Sequence, residues 1–171
     1  FNEISPLICF SVKSNSNISL LKEIKKLGLG ADVVSKGELY ASLKAGINKN
    51  KIVFSGVGKT KDEIEYAIKQ KILLINSESL SEVLAIERAA KKLNKVVNIG
   101  LRLNPDTDAE TLKQISTGKS ENKFGVDKKT FVKIINLMKD SKFINIKCLS
   151  VHIGSQILNN KPYEKMLNVV D

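Results

Sequence analysis

The feature that most constrains this chain is a nearly unbroken alternation of short β-rich runs with amphipathic helical patterns. Strand candidates fall at residues 7–13, 31–34, 51–54, 72–76, 96–104 and 145–152. Between them, residues 18–27, 37–45, 61–69, 79–93 and 128–139 carry apolar side chains at three- and four-residue spacing, as in the stripe Leu80, Val83, Leu84, Ile86 and Ala90. Boundary signals agree. Ser14-Asn15-Ser16-Asn17 reads as a helix cap, Gly28 and Gly46 as left-handed helix stops, and Thr60 with Glu63 and Ser79 with Glu82 as capping boxes. Strands joined by helical crossovers make a parallel sheet, so the fold class is α/β: an open doubly wound sheet or part of an eight-stranded barrel.

Side-chain parity chooses between the two. If Lys13 faces one side, Ser11 and Cys9 share it, with Ile8, Phe10 and Val12 opposite. His152 groups with Ser150 and Cys148 against Leu149, Val151 and Ile153, and Arg102 with Gly100 and Asn98 against Ile99, Leu101 and Leu103. One face is small or polar and the other apolar. A doubly wound sheet is covered by helices on both faces and is apolar on both, whereas a barrel has one helix-covered face and one tight interior face. The expected fold is therefore a partial (β/α)8 TIM barrel with about six strands present, roughly three quarters of a unit that usually takes about 250 residues. The whole chain, 1–171, reads as one domain. Phe1 is not a start methionine, and the helical pattern of residues 160–171 meets no Gly or Asn stop, so a fragment of a longer polypeptide is expected.

Composition excludes several classes. The formal charge is +10, but only Arg88 and Arg102 among 28 basic residues are arginine, the lysines are scattered, and aromatics are 5% of the chain. A nucleic-acid surface needs clustered cations with stacking aromatics, so no nucleic-acid partner is expected. Cys9 and Cys148 lack C-x-x-C spacing and have one histidine for company, which argues against zinc and for small core residues in a reducing, cytoplasmic setting. No run approaches about 18 uninterrupted apolar residues, and no membrane association is expected.

Two glycine-containing turns imitate phosphate loops. Ser55-Gly56-Val57-Gly58-Lys59-Thr60 resembles the end of a Walker A loop, but Val53 stands where its first glycine belongs; Gly28-Leu29-Gly30 lacks a third glycine because Val33 takes that place. What remains is a set of polar residues at strand exits: Lys13, Asp32, Ser55, Asn76, Arg102 and His152. In a parallel barrel all these exits converge on the face that carries active sites. A lysine there can form an imine with an aldehyde cofactor, an imidazole can lie flat on an aromatic ring, and the glycine and serine after His152 can offer donors to a phosphate. That combination suits pyridoxal phosphate as one candidate. Each residue also has a plainer reading, as a solvated cap, a turn former or a structural ion-pair partner.

Phe10-Ser11-Val12-Lys13-Ser14-Asn15 resembles the Tyr-Ala-x-Lys-Ala-Asn segment of the alanine-racemase-like barrel of group IV pyridoxal phosphate decarboxylases. Four further segments resemble that family in the same order: residues 30–39, Leu101-Arg102-Leu103-Asn104-Pro105, Glu121-Asn122-Lys123-Phe124-Gly125 and His152-Ile153-Gly154-Ser155-Gln156. Residues 52–59 are most similar to diaminopimelate decarboxylases. The resemblance implies a pyridoxal 5'-phosphate cofactor held covalently by Lys13, stacked on by His152 and bound at its phosphate by Ser155, with Asp32 and Arg102 positioning the lysine and the ring substituents. It implies decarboxylation of meso-diaminopimelate to L-lysine and carbon dioxide, with homodimers in the complete enzyme. Other basic amino acids (ornithine, arginine, carboxynorspermidine) and a non-catalytic pyridoxal phosphate carrier stay open as alternatives. The family's glycine-rich phosphate loop, the acidic partner of the pyridine nitrogen, and the C-terminal β domain with its Cys and Tyr are expected beyond Asp171; neither Cys9 nor Cys148 matches that Cys.

Overall fold

The computed structural model of the protein describes residues 4–106 and 124–171. Six parallel strands pair in strict sequence order: β1 (Cys9–Ser11), β2 (Gly30–Val33), β3 (Ile52–Phe54), β4 (Leu74–Ser77), β5 (Val97–Leu103) and β6 (Ile144–Val151). Helices α1 (Ile18–Lys26), α2 (Lys36–Lys44), α3 (Lys61–Gln70), α4 (Leu80–Leu93), α5 (Lys128–Met138) and α6 (Lys161–Val170) alternate with them. An order that never reverses is barrel topology, because a doubly wound sheet changes direction at a switch point.

Parity along each strand explains the layering. Ala31 and Val33, Ile52 and Phe54, and Ile99 and Leu101 are almost wholly buried beneath the helices. Each of the Val, Ile, Leu and Phe side chains contributes about 1.5–3 kcal/mol through removal from water. The alternate residues of the same strands face the opposite side, the barrel interior. The sheet curls enough for Lys13, after its first strand, and Ser150, on its last, to line one cavity.

Helices α1 to α5 begin where short polar side chains accept orphan backbone N–H groups. Asn17 caps α1 by accepting from Ser19 N, and Thr60 with Glu63 forms a full capping box on α3. Gly28 and Gly46 follow α1 and α2 with φ of 74° and 87°, in the left-handed conformation that glycine adopts without steric cost. Helices α3 and α4 end on Lys71 and Asn94, also left-handed, at φ 54° and 48°.

Several expectations shift. Lys13 lies outside β1, in a 3-10 turn spanning Val12–Ser14 that is closed by Ser14 Oγ donating to Ser11 O at 2.7 Å. Ser79 accepts from Glu82 N, but the Glu82 carboxylate does not return to the cap residue; it accepts from Glu78 N at 2.8 Å, one residue earlier. Cys9 and Cys148 are half-buried rather than core residues, because both sit on the interior face of the sheet instead of beneath the helices. A register shift between Ile99 and Gly100 takes Gly100 opposite Cys148, skipping Lys147, so the parity of β6 resets there. Among the described residues no helix is long and apolar enough to cross a membrane, and no cluster of three or more potential metal ligands occurs. Of the family-like segment at 121–125, residues 121–123 lie outside the described residues.

Candidate functional site

The strand exits open into a cavity of about 680 Å³ lined by Lys13, Asp32, Ser55, Asn76, Arg102 and His152, the six residues singled out from sequence. Local burial explains each orientation. Val12 is fully buried, which turns the next residue, Lys13, toward the cavity. Asp32 lies between Ala31 and Val33, and Arg102 between Leu101 and Leu103, all under the helices, so the polar side chains must point inward. His152 precedes Ile153, which is 3% exposed and anchors the exit of β6.

The interior face carries a row of hydrogen bonds across three strands. Ser55 Oγ donates to Asp32 Oδ1 at 2.5 Å, and Asn76 Nδ2 donates to Ser55 Oγ at 3.1 Å. Among the described residues Asn76 Oδ1 is buried with no hydrogen-bond partner, and it lies against Gly100, where a Cβ would collide with it. The missing side chain at Gly100 is what lets the Asn76 amide lie flat in the row. Gly30 plays a comparable part on β2: a Cβ there would collide with the carbonyl oxygen of Lys51, a backbone atom.

Charge is arranged to suit. Burial pushes the Asp32 carboxyl up; the Ser55 hydroxyl and then the positive charges of Lys13 and Lys59, joined by His152 when its ring is protonated at lower pH, oppose that push. His152 is pushed down, first by burial and then by repulsion from Arg102 and Lys13, so near neutral pH it is an uncharged imidazole. Arg102 Nη1 donates to both carboxylate oxygens of Glu78, at 3.2 and 3.1 Å, and its guanidinium lies 5.1 Å from the Phe124 ring centroid. Glu78, only 5% exposed, was not among the sequence candidates. The signal was there: Glu78 lies two residues past Asn76 and so shares its parity, just beyond the last residue of β4.

Ser155 does not join this group. It lies exposed in the bend after His152, outside the residues that line the cavity. Burial raises the thiols of Cys9 and Cys148, the first with added repulsion from Asp32, so both stay protonated at neutral pH and are poor nucleophiles.

A primary amine, an uncharged imidazole, a carboxyl and a guanidinium around one cavity form a donor set that fits an aldehyde-bearing aromatic cofactor. The volume lies within the range of about 300–1,000 Å³ typical of small-molecule sites. The buried Asn76 Oδ1, without a hydrogen-bond partner among the described residues, and the Gly100 gap beside it show that the interior layer is shaped around polar groups rather than filled by aliphatic ones.

Diaminopimelate decarboxylase of Helicobacter pylori strain J99 is 48% identical over 156 residues, covering 91% of this chain and 38% of the relative. The Aquifex aeolicus enzyme of the same name is 43% identical over 164 residues, covering 96% of this chain and 39% of the relative. Among solved structures, diaminopimelate decarboxylase from Helicobacter pylori complexed with L-lysine superposes with a TM-score of 0.97 at 44% identity, covering 99% of this chain and 43% of that one. This chain thus spans about two fifths of the length of the curated relatives it matches. The family model described as the pyridoxal binding domain of pyridoxal-dependent decarboxylases matches residues 2–170, and over that span the chain belongs to this family.

Proposed function

We propose that this chain is the cofactor-binding barrel portion of a diaminopimelate decarboxylase, a carboxy-lyase that converts meso-diaminopimelate to L-lysine and carbon dioxide. The observation that carries the reading is the convergence of Lys13, Asp32, Arg102 and His152 on one cavity in a chain that is 48% identical to a protein of that name. The remaining barrel strands, the phosphate loop and a C-terminal β domain would lie outside these 171 residues; coverage of about two fifths of the relatives supports that division.

Pyridoxal 5'-phosphate, when bound, supplies an aldehyde that captures amines and a ring that accepts the electron pair left as carbon dioxide departs. This chain's residues would hold and orient it. Lys13 Nζ, carried on a short turn rather than a flexible loop, is the amine assigned to the aldehyde carbon. The uncharged His152 imidazole offers a flat face to the ring. Asp32, fixed through Ser55, draws the Lys13 ammonium into the cavity, and Arg102, braced by Glu78, fixes the ring substituents. Ser155 is assigned to the phosphate on the strength of the His-Ile-Gly-Ser segment. We assign the complete enzyme to the cytoplasm and to a homodimer. Two free thiols support the first; family resemblance supports the second.

The test uses the full-length gene product. Lys13→Ala should abolish the visible absorbance of protein-bound pyridoxal phosphate and nearly all turnover, and meso-diaminopimelate should be the best substrate in a panel with ornithine, arginine and carboxynorspermidine. Unchanged kinetics on Lys13→Ala would refute the site, and preference for another panel member would refute the substrate. Cofactor binding without decarboxylation of any of them would favour a carrier.

A further inference from the structure

Lys59 ends the segment that imitates a phosphate loop, and the structure gives it different work. Its side chain is 1% exposed. Nζ donates to the carbonyl oxygen of Gly56 at 2.5 Å, to that of Asn76 at 2.7 Å and to Glu82 Oε1 at 2.8 Å, and it sits 5.6 Å from the Phe54 ring centroid. An ammonium has three donors, and all three are used, so none is left for a phosphate.

Its partners are what make the residue informative. Gly56 follows Ser55, and Asn76 is the next member of the interior row, so Lys59 ties together the exits of β3 and β4. Glu82, in the first turn of α4, accepts Glu78 N with its other oxygen, and Glu78 holds Arg102. A continuous path runs from Lys59 through Glu82 and Glu78 to the guanidinium in the cavity.

We propose that Lys59 is a positioning residue for the cofactor site: it locks the β3 and β4 exits so that the Asp32–Ser55–Asn76 row and the Glu78–Arg102 pair keep the geometry that receives pyridoxal phosphate. The inference rests on the cofactor reading above. A buried ion pair adds little to net stability, because desolvation of both charges offsets their attraction, but it is costly to break from one side. Its effect is therefore expected in where the exits sit more than in whether the protein folds.

Two variants of the full-length enzyme test this. Lys59→Met leaves the Glu82 carboxylate uncompensated and should lower the unfolding temperature. Lys59→Met with Glu82→Gln removes both charges while keeping an acceptor for Glu78 N, and should fold with an apoprotein unfolding temperature within a few degrees of the parent. In that double variant the dissociation constant for pyridoxal phosphate should rise about tenfold or more and kcat should fall by a similar factor, while KM for the amino acid moves less than about twofold. The circular dichroism of the bound cofactor should weaken as well. A folded double variant with cofactor affinity and kcat at parent values would overturn the proposal. Failure of both variants to fold would also overturn it, since that describes a purely architectural lysine. A parent enzyme that binds no pyridoxal phosphate would instead refute the cofactor reading.

Discussion

Gly100→Ala tests whether the interior layer is built around the Asn76 amide. A Cβ at this position collides with Asn76 Oδ1 and meets Asn76 Cγ at 3.2 Å and Leu74 Cδ1 at 3.3 Å. The leucine methyl can give by a few tenths of an ångström. The amide can move only by releasing Ser55, which it now bonds at 3.1 Å. Loss of that hydrogen bond costs about 1 kcal/mol, and insertion of a methyl into a packed interior costs about 1–3 kcal/mol, for a total of about 2–4 kcal/mol. Urea unfolding of the full-length apoprotein measures it. Gly37→Ala is the internal control: Gly37 lies in the first turn of α2, the nearest neighbour of its added methyl is Ser35 Oγ at 3.8 Å, and the substitution should stabilise by about 0.5–1 kcal/mol. The decisive comparison adds Asn76→Ala. If the amide is the obstacle, Gly100→Ala should cost almost nothing further once Asn76 is truncated, a strong departure from additivity. Additive costs, or a Gly100→Ala protein as stable as the parent, would refute the reasoning.

Two further outcomes follow from the same geometry. Because burial raises the folded-state pKa of Asp32 above its unfolded value, the carboxyl favours folding while protonated, and that contribution is lost as pH rises through the folded pKa. Asp32→Asn should therefore raise the unfolding temperature near neutral pH and have little effect below the ordinary carboxylate range, while weakening cofactor binding; equal effects at both pH values would contradict the sign. Arg102→Met strands the Glu78 carboxylate, whose side chain is 3% exposed, and should destabilise by about 3–5 kcal/mol. Adding Glu78→Gln should recover most of that loss in the same unfolding assay, and a double variant no more stable than Arg102→Met would count against Glu78 as the reason.

Strand order, helix positions and the inward face were legible in the sequence because each follows from local periodicity. Ala31, Val33, Leu101 and Leu103 are apolar at alternate strand positions, and this alone turns Asp32 and Arg102 to the other side, whereas Lys13 reaches the cavity from the 3-10 turn after β1. Helix stops were legible where glycine marks them and where the apolar pattern ends, as at residue 93 before the left-handed Asn94. Lys71 adopts the same left-handed conformation, and its residue type does not announce it.

The sequence by itself determined a parallel α/β barrel sheet and a set of polar residues at its strand exits, since amphipathic spacing is a property of neighbours along the chain. Only the tertiary structure decided how those residues meet. That Lys59 is buried among carbonyls instead of binding phosphate, that Glu78 braces Arg102, that Asn76 lies over Gly100, and that a register shift resets the parity of β6 all depend on how adjacent strands slide past each other. These pairings join residues about two dozen positions apart in the Asn76–Gly100 and Glu78–Arg102 cases, and they are fixed by interstrand register, which no local pattern encodes.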